Sequence, residues 1–176
     1  MQIDIMEDHH KKRGFTLIEL VMVMVIMGIL AIVALPKLGN LTGQARKSAA
    51  NAVAGGLMAA VSVAHAEWLA NGGLGAAPVT LEGSQILYVN SFGWPEDTAA
   101  VATGTVNANK CLNLWNGLFN NPPLASNSVT QCAATSGCVY VAGISGTTTC
   151  TYTDGQGTGA NVVTYNVTTG AVVAPQ

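Results

Sequence analysis

The sequence predicts an α+β fold: a long N-terminal α-helix followed by a small disulfide-bonded head built on an antiparallel β-sheet. Three observations lead there. Residues 15–35 form an apolar run with one ionisable side chain, Glu19. Apolar residues then recur at three- and four-residue spacing as far as Leu69, the period of an amphipathic helix. Finally, residues 138–142, 148–153, 161–167 and 171–174 alternate β-branched or aromatic residues with small polar ones, the period of strands in a meander.

The apolar run comes first in the chain and is 21 residues long, about 32 Å as a helix at ~1.5 Å per residue, enough to cross a bilayer. A secretory signal peptide has a shorter apolar stretch with its cleavage site beyond it. Here the order is reversed: Lys11-Lys12-Arg13 abuts Gly14, and the apolar run follows. Basic residues beside the span predict that the segment before Gly14 stays cytoplasmic and that the C-terminal part is exported. Glu19 separates this helix from a passive anchor, because a carboxylate inside a membrane segment is costly and is kept for a function. Gly28 and Pro36 are the two helix-weakening positions, so a kink or a locally extended segment between them is expected.

The run Lys11-Lys12-Arg13-Gly14-Phe15-Thr16-Leu17-Ile18-Glu19-Leu20 resembles the processing signal of type IV prepilins and pseudopilins. The resemblance implies a type IV pilin fold and a cut after Gly14 by a prepilin peptidase, which then methylates the new N-terminal amine of Phe15. A buried carboxylate is tolerated where an opposite charge meets it. In the family the counterpart of Glu19 meets the N-terminus of a neighbouring subunit and sets the axial step of a helical filament, as a polar residue fixes register in an apolar coiled-coil seam. The stretch near Gly28 and Pro36 resembles a link that melts in assembled pili.

Beyond Pro36 the periodic apolar positions are Leu38, Leu41, Ala45, Ala49, Ala52, Val53, Gly56, Leu57, Ala60, Val61, Ala64, Trp68 and Leu69, and Asn71-Gly72-Gly73 supplies a stop. The helix is therefore expected from Phe15 to about Asn71. Pieces of strand are expected at residues 78–81 and 85–89, then an ordered turn with buried rings at Phe92-Gly93-Trp94-Pro95. The Gly-Trp-Pro turn after Tyr88-Val89-Asn90, with a helix at residues 111–118, resembles pilins of the mannose-sensitive haemagglutinin type. Glycine-rich turns are expected at 143–146, 154–159 and 168–170.

All four cysteines, Cys111, Cys132, Cys138 and Cys150, lie in the C-terminal half. Their even number in an exported domain points to two disulfides. Zinc is the rival reading, but no CxxC pair occurs and the histidines, His9, His10 and His65, are far upstream. Cys138 and Cys150 can face each other across the first hairpin of the meander, which leaves Cys111 with Cys132. All three connectivities are open, since a one-residue strand slip turns a cysteine to the other face.

The expected organisation is a leader at 1–14, a membrane or filament-core half-helix at 15–36, an amphipathic half-helix at 37–72 and a head at 73–176. A charged fraction of 9% is far below the roughly 25% of soluble domains. The net charge of −2 argues against a nucleic-acid partner bound through a basic surface. Lys37, Arg46 and Lys47 make the stem basic, whereas Glu67, Glu82, Glu96, Asp97 and Asp154 make the rest mildly acidic. Asn40-Leu-Thr42 and Asn166-Val-Thr168 match a glycosylation pattern that is common by chance.

No catalytic grouping, metal-ligand spacing or phosphate-binding loop emerges, so neither enzyme nor cofactor is expected. His65 and Glu67 receive no chemical role. The resemblance implies a subunit of a type IVa pilus, its major one, made in the inner membrane with its N-terminus cytoplasmic and ending in an extracellular fimbrium. Its implied partners are copies of itself, the peptidase and the inner-membrane assembly platform, and its implied work is adhesion, with motility or DNA uptake. A pseudopilin of a type II secretion system, a minor pilin or a single-span receptor are the alternatives. No calcium-binding carboxylate loop like that of major pseudopilins is evident near the C-terminus, where Asp154 stands alone.

Overall fold

A computed structural model describes residues 14–81, 86–100, 103–155 and 161–175. The basic run at 11–13, Glu82, Gln85 and most of the expected 154–159 turn lie outside the described residues. The chain divides into two units, Met1–Thr42 and Gly43–Gln176.

Helix α1, Leu17–Ala70, contributes to both. It stays helical through Gly28 and Pro36, so the expected extended segment is not seen there. Its end is a Schellman cap: the Gly73 N–H donates to the Trp68 carbonyl at 3.0 Å and the Gly72 N–H to Leu69 at 3.1 Å. Gly72 has φ +106°, a backbone region open chiefly to glycine.

In the second unit, α1 buries a stripe of Ala50, Ala54, Leu57, Val61, Ala64 and Trp68, spaced alternately by four and three. The stripe is narrower than expected. Leu41 and Leu69 are exposed at 58% and 56%, and Ala45, Ala49 and Ala52 are also exposed. Several of the buried positions are alanine, which lets neighbouring backbone come close.

Strands β1 (Ala77–Thr80), β2 (Ile86–Val89) and β3 (Pro95–Asp97) form an antiparallel sheet in the order β1-β2-β3. Helix α2 (Ala108–Leu118) follows, with the Asn107 side chain capping the Lys110 N–H. A second sheet has the order β4-β5-β6-β7-β8: β4 (Ala125–Ser126), β5 (Tyr140–Ser145), β6 (Thr149–Asp154), β7 (Val162–Asn166) and β8 (Val172–Val173). The expected meander is present in β5 to β8, but β4 runs parallel to β5. A short helix α3, Val129–Ala134, was not expected. Gly143 lies inside β5 rather than in a turn.

Trp115 on α2 centres the core, with ring centroids 4.8 Å from Tyr152, 4.9 Å from Tyr140 and 5.1 Å from Phe119. Its indole N–H donates to the Pro123 carbonyl at 2.8 Å. The buried phenols are satisfied too: Tyr152 donates to Cys111 O at 2.9 Å and Tyr165 to Pro95 O at 2.8 Å. In Trp115, Tyr152 and Tyr165 the polar atom of the buried ring meets a backbone carbonyl.

The disulfides are Cys111–Cys150 and Cys132–Cys138, which corrects the expected pairing of Cys111 with Cys132 and Cys138 with Cys150. Register explains it. Cys150 stands opposite Ile144, and Tyr140 stands opposite Asp154, so Cys138 lies well beyond the cross-strand partner of Cys150. Cys150 shares the buried face of β6 with Tyr152, and that face meets the buried side of α2, where Cys111 sits. The Cα atoms are 5.5 Å apart. Cys132 on α3 closes locally onto Cys138, six residues on. Replacing both members of Cys111–Cys150 by alanine should lower unfolding stability by about 4 kcal/mol, against about 2 kcal/mol for the shorter loop, by the dependence on loop length. Urea unfolding of the two double variants measures the difference, and non-reducing peptide mapping checks the pairing.

Candidate functional site

The first turn of α1 is where the sequence concentrates its signal. Gly14, Phe15 and Thr16 are non-helical, and Phe15 is 90% exposed. Thr16 is the N-cap of a capping box with Glu19. The Thr16 Oγ1 accepts the Glu19 N–H at 3.3 Å, while Glu19 Oε2 accepts the Thr16 N–H at 2.9 Å and the Thr16 hydroxyl at 2.8 Å. Sequence reading singled out Glu19 and passed over Thr16, although Thr-Leu-Ile-Glu is the signature of such a box.

From Phe15 to Leu35 every large apolar side chain is exposed. An 18-residue window here reaches a mean hydropathy of 2.9, and none of it is buried within the chain. The side chains are apolar all round rather than in a stripe, a pattern that suits apolar surroundings on every side. Length and composition make this a candidate membrane span.

A family profile described as "Prokaryotic N-terminal methylation motif" matches residues 9–35. A type IV major pilin protein of Neisseria gonorrhoeae is 34% identical over 112 residues, covering 59% of this chain and 68% of that protein. The chain belongs to the type IV pilin family. A fimbrial protein of Neisseria meningitidis serogroup A is 40% identical over 114 residues, 59% of this chain and 65% of the relative. A type IV narrow pilus major component of Thermus thermophilus is 43% identical over 54 residues, 31% of this chain and 47% of the relative. No solved structure matches this one. As a pilin the chain is a structural protein and not an enzyme, with the long helix and sheet-bearing head of that fold.

In this pilin the remaining candidates are dispersed. Gly28 and Pro36 sit within α1, and a Cβ on Gly28 would meet nothing within 4 Å. Among the described residues no group of three His, Cys, Asp or Glu side chains is placed to hold a metal. His65 is a packing residue: its ring stacks on Trp94 with centroids 3.9 Å apart, and its Nδ1–H donates to Gly93 O at 3.0 Å. Asn90 Oδ1 holds the turn by accepting the Phe92 and Trp94 N–H groups. Gly93 has φ +82°, and a Cβ there would lie 2.3 Å from Trp68, so the Gly-Trp-Pro turn needs its glycine. The expectation of buried rings is half met, since Trp94 is half-buried and Phe92 is 59% exposed.

Asn166 is occupied within its own turn: Oδ1 accepts from Thr168 N, Thr168 Oγ1 and Thr169 N, and Nδ2 donates to Thr149 Oγ1. Its glycosylation pattern therefore has a structural explanation, as an Asx turn.

An ion pair that sequence reading missed orders the loop before α2. Glu96 is fully buried and meets Lys110 Nζ at 2.7 Å. It also accepts the Thr103 N–H at 2.8 Å and the Gly104 N–H at 2.6 Å. Burial pushes the Glu96 carboxyl up, but the Lys110 ammonium and those two N–H groups outweigh it and hold the carboxyl below its ordinary value of 4.5. A carboxyl held low in the folded state stabilises above its unfolded value and loses that contribution as pH falls through the folded one. Head stability should accordingly decline as the pH drops below 4.5, and less steeply in Glu96→Gln. Lys110→Met, which strands the carboxylate, should cost about 3–5 kcal/mol near neutral pH. Urea titrations across pH measure both.

Proposed function

We propose that this pilin is the major subunit of a type IV pilus, made as a membrane-held precursor, cut after Gly14 and methylated on Phe15. The observation that carries this is Gly14-Phe15-Thr16 standing non-helical and exposed at the head of a helix whose first half is apolar on every side apart from Glu19. Before assembly that helix would lie in the inner membrane with residues before Gly14 on the cytoplasmic side. After cleavage it would pass to an equally apolar filament core, with copies of itself as neighbours and the inner-membrane platform as the assembly site. Glu19 would then meet the new ammonium of a neighbouring Phe15, a pairing that offsets the desolvation of both charges. Flexing at Gly28 and Pro36 would serve the assembled filament. The relatives named as major pilins support the major-subunit reading, and the Tyr-Val-Asn strand with its Gly-Trp-Pro turn supports the haemagglutinin-type reading and work in adhesion.

N-terminal peptide mapping of subunits from sheared surface filaments should find a chain that begins at Phe15 and carries one added methyl group there. Deleting the gene should remove the filaments, and filaments persisting without this chain would overturn the major-subunit reading. Glu19→Ala should be cut normally yet yield few or no filaments by electron microscopy.

A further inference from the structure

The capping box does more than satisfy the first turn. In an α-helix each N–H bonds the carbonyl four residues back, so a helix continuing upstream would send the Glu19 N–H to the Phe15 carbonyl and the Ile18 N–H to Gly14. Thr16 Oγ1 intercepts the Glu19 N–H at 3.3 Å. The Leu20 N–H donates to the Thr16 carbonyl at 3.3 Å, and Gly14 and Phe15 remain outside the helix. Membrane surroundings sharpen the need for this stop. Where water is scarce, unpaired first-turn N–H groups are expensive, and without a cap the nearest acceptors are the two carbonyls around the Gly14–Phe15 bond.

We propose that Thr16 is a positioning residue for leader removal: by ending α1 at Leu17 it presents the Gly14–Phe15 peptide to the peptidase as extended, solvent-facing chain. This rests on the prepilin reading above. Hydrolysis adds water across the bond, leaving a carboxylate on Gly14 and an ammonium on Phe15, and the attack needs an open face on the Gly14 carbonyl. A helical turn would cover that face and engage its oxygen. The interception is made by Thr16 Oγ1 on the backbone N–H of Glu19 and does not need the Glu19 carboxylate, so Glu19→Ala keeps it.

The test uses the full-length precursor, with cleavage followed by mass spectrometry in membranes containing prepilin peptidase. Thr16→Val keeps the shape and removes the cap, while Thr16→Ser keeps the hydroxyl. Thr16→Val should lower kcat/KM by about 3- to 30-fold, the range expected for loss of an N-cap, and Thr16→Ser should restore most of it. In detergent micelles the Cα chemical shifts of Gly14 and Phe15 should be non-helical in the wild type and Thr16→Ser, and helical in Thr16→Val. Cleavage of Thr16→Val at the wild-type rate would overturn the proposal. So would slow cleavage with unchanged shifts, or a serine variant as slow as the valine one. A wild-type precursor left uncut at Gly14 would instead sink the prepilin reading itself, and this proposal with it.

Discussion

The head depends on one contact, the burial of the α1 stripe from Ala50 to Trp68 in the core that both sheets and α2 build. With charged residues only 9% of the chain, the fold leans on close packing of small side chains and on a few large rings. Trp68 illustrates the economy. Its indole N–H donates to Gly75 O at 3.0 Å, tying the helix end to the chain that leaves it, while the face of its ring sets the limit on Gly93. His65 and Trp94 extend the same contact into the Gly-Trp-Pro turn, so the end of α1 and the exit of β2 are held by one aromatic group.

Helix α1 meets two chemical demands along its length. Its first half is apolar on every side, as suits a solvent of lipid tails or of other helices. Its second half is apolar on one stripe, as suits a helix lying on a sheet. The change of pattern needs no break in the backbone, only a change in which faces are apolar, and α1 is helical across it. Glu19 and Thr16 stand at the far end, where the hydrogen-bonding demand of a helix start gives the carboxylate a local partner before any intermolecular one is available.

Polar groups in the head follow a consistent rule: those that are buried are paired. Glu96 has Lys110 and two backbone donors, Asp97 accepts from Asn113 at 3.0 Å, and Asp154 lies 3.7 Å from Arg46 on α1. Among the described residues no buried side-chain nitrogen or oxygen lacks a partner, the condition under which a small core tolerates them. These charges therefore order loops and join elements rather than keeping the surface solvated.

The sequence by itself determined the features that depend on near neighbours. These are the apolar run, the Gly14-Phe15-to-Glu19 motif, the helix stop at Asn71-Gly72-Gly73, α2 and the meander of β5 to β8. Each follows from spacing of a few residues, where backbone geometry dictates which side chains share a face. The Thr16 cap belongs to this legible class, since Thr-Leu-Ile-Glu has the three-residue spacing of a capping box. Tertiary structure alone decided the disulfide pairing, the parallel addition of β4, the ion pair of Glu96 with Lys110 and the stacking of His65 on Trp94. Those outcomes turn on how α2 crosses β6 and how α1 meets a turn more than twenty residues away, and period and composition carry no record of such crossings. Cys111 joins Cys150 because two buried faces meet there, 39 residues apart in the chain.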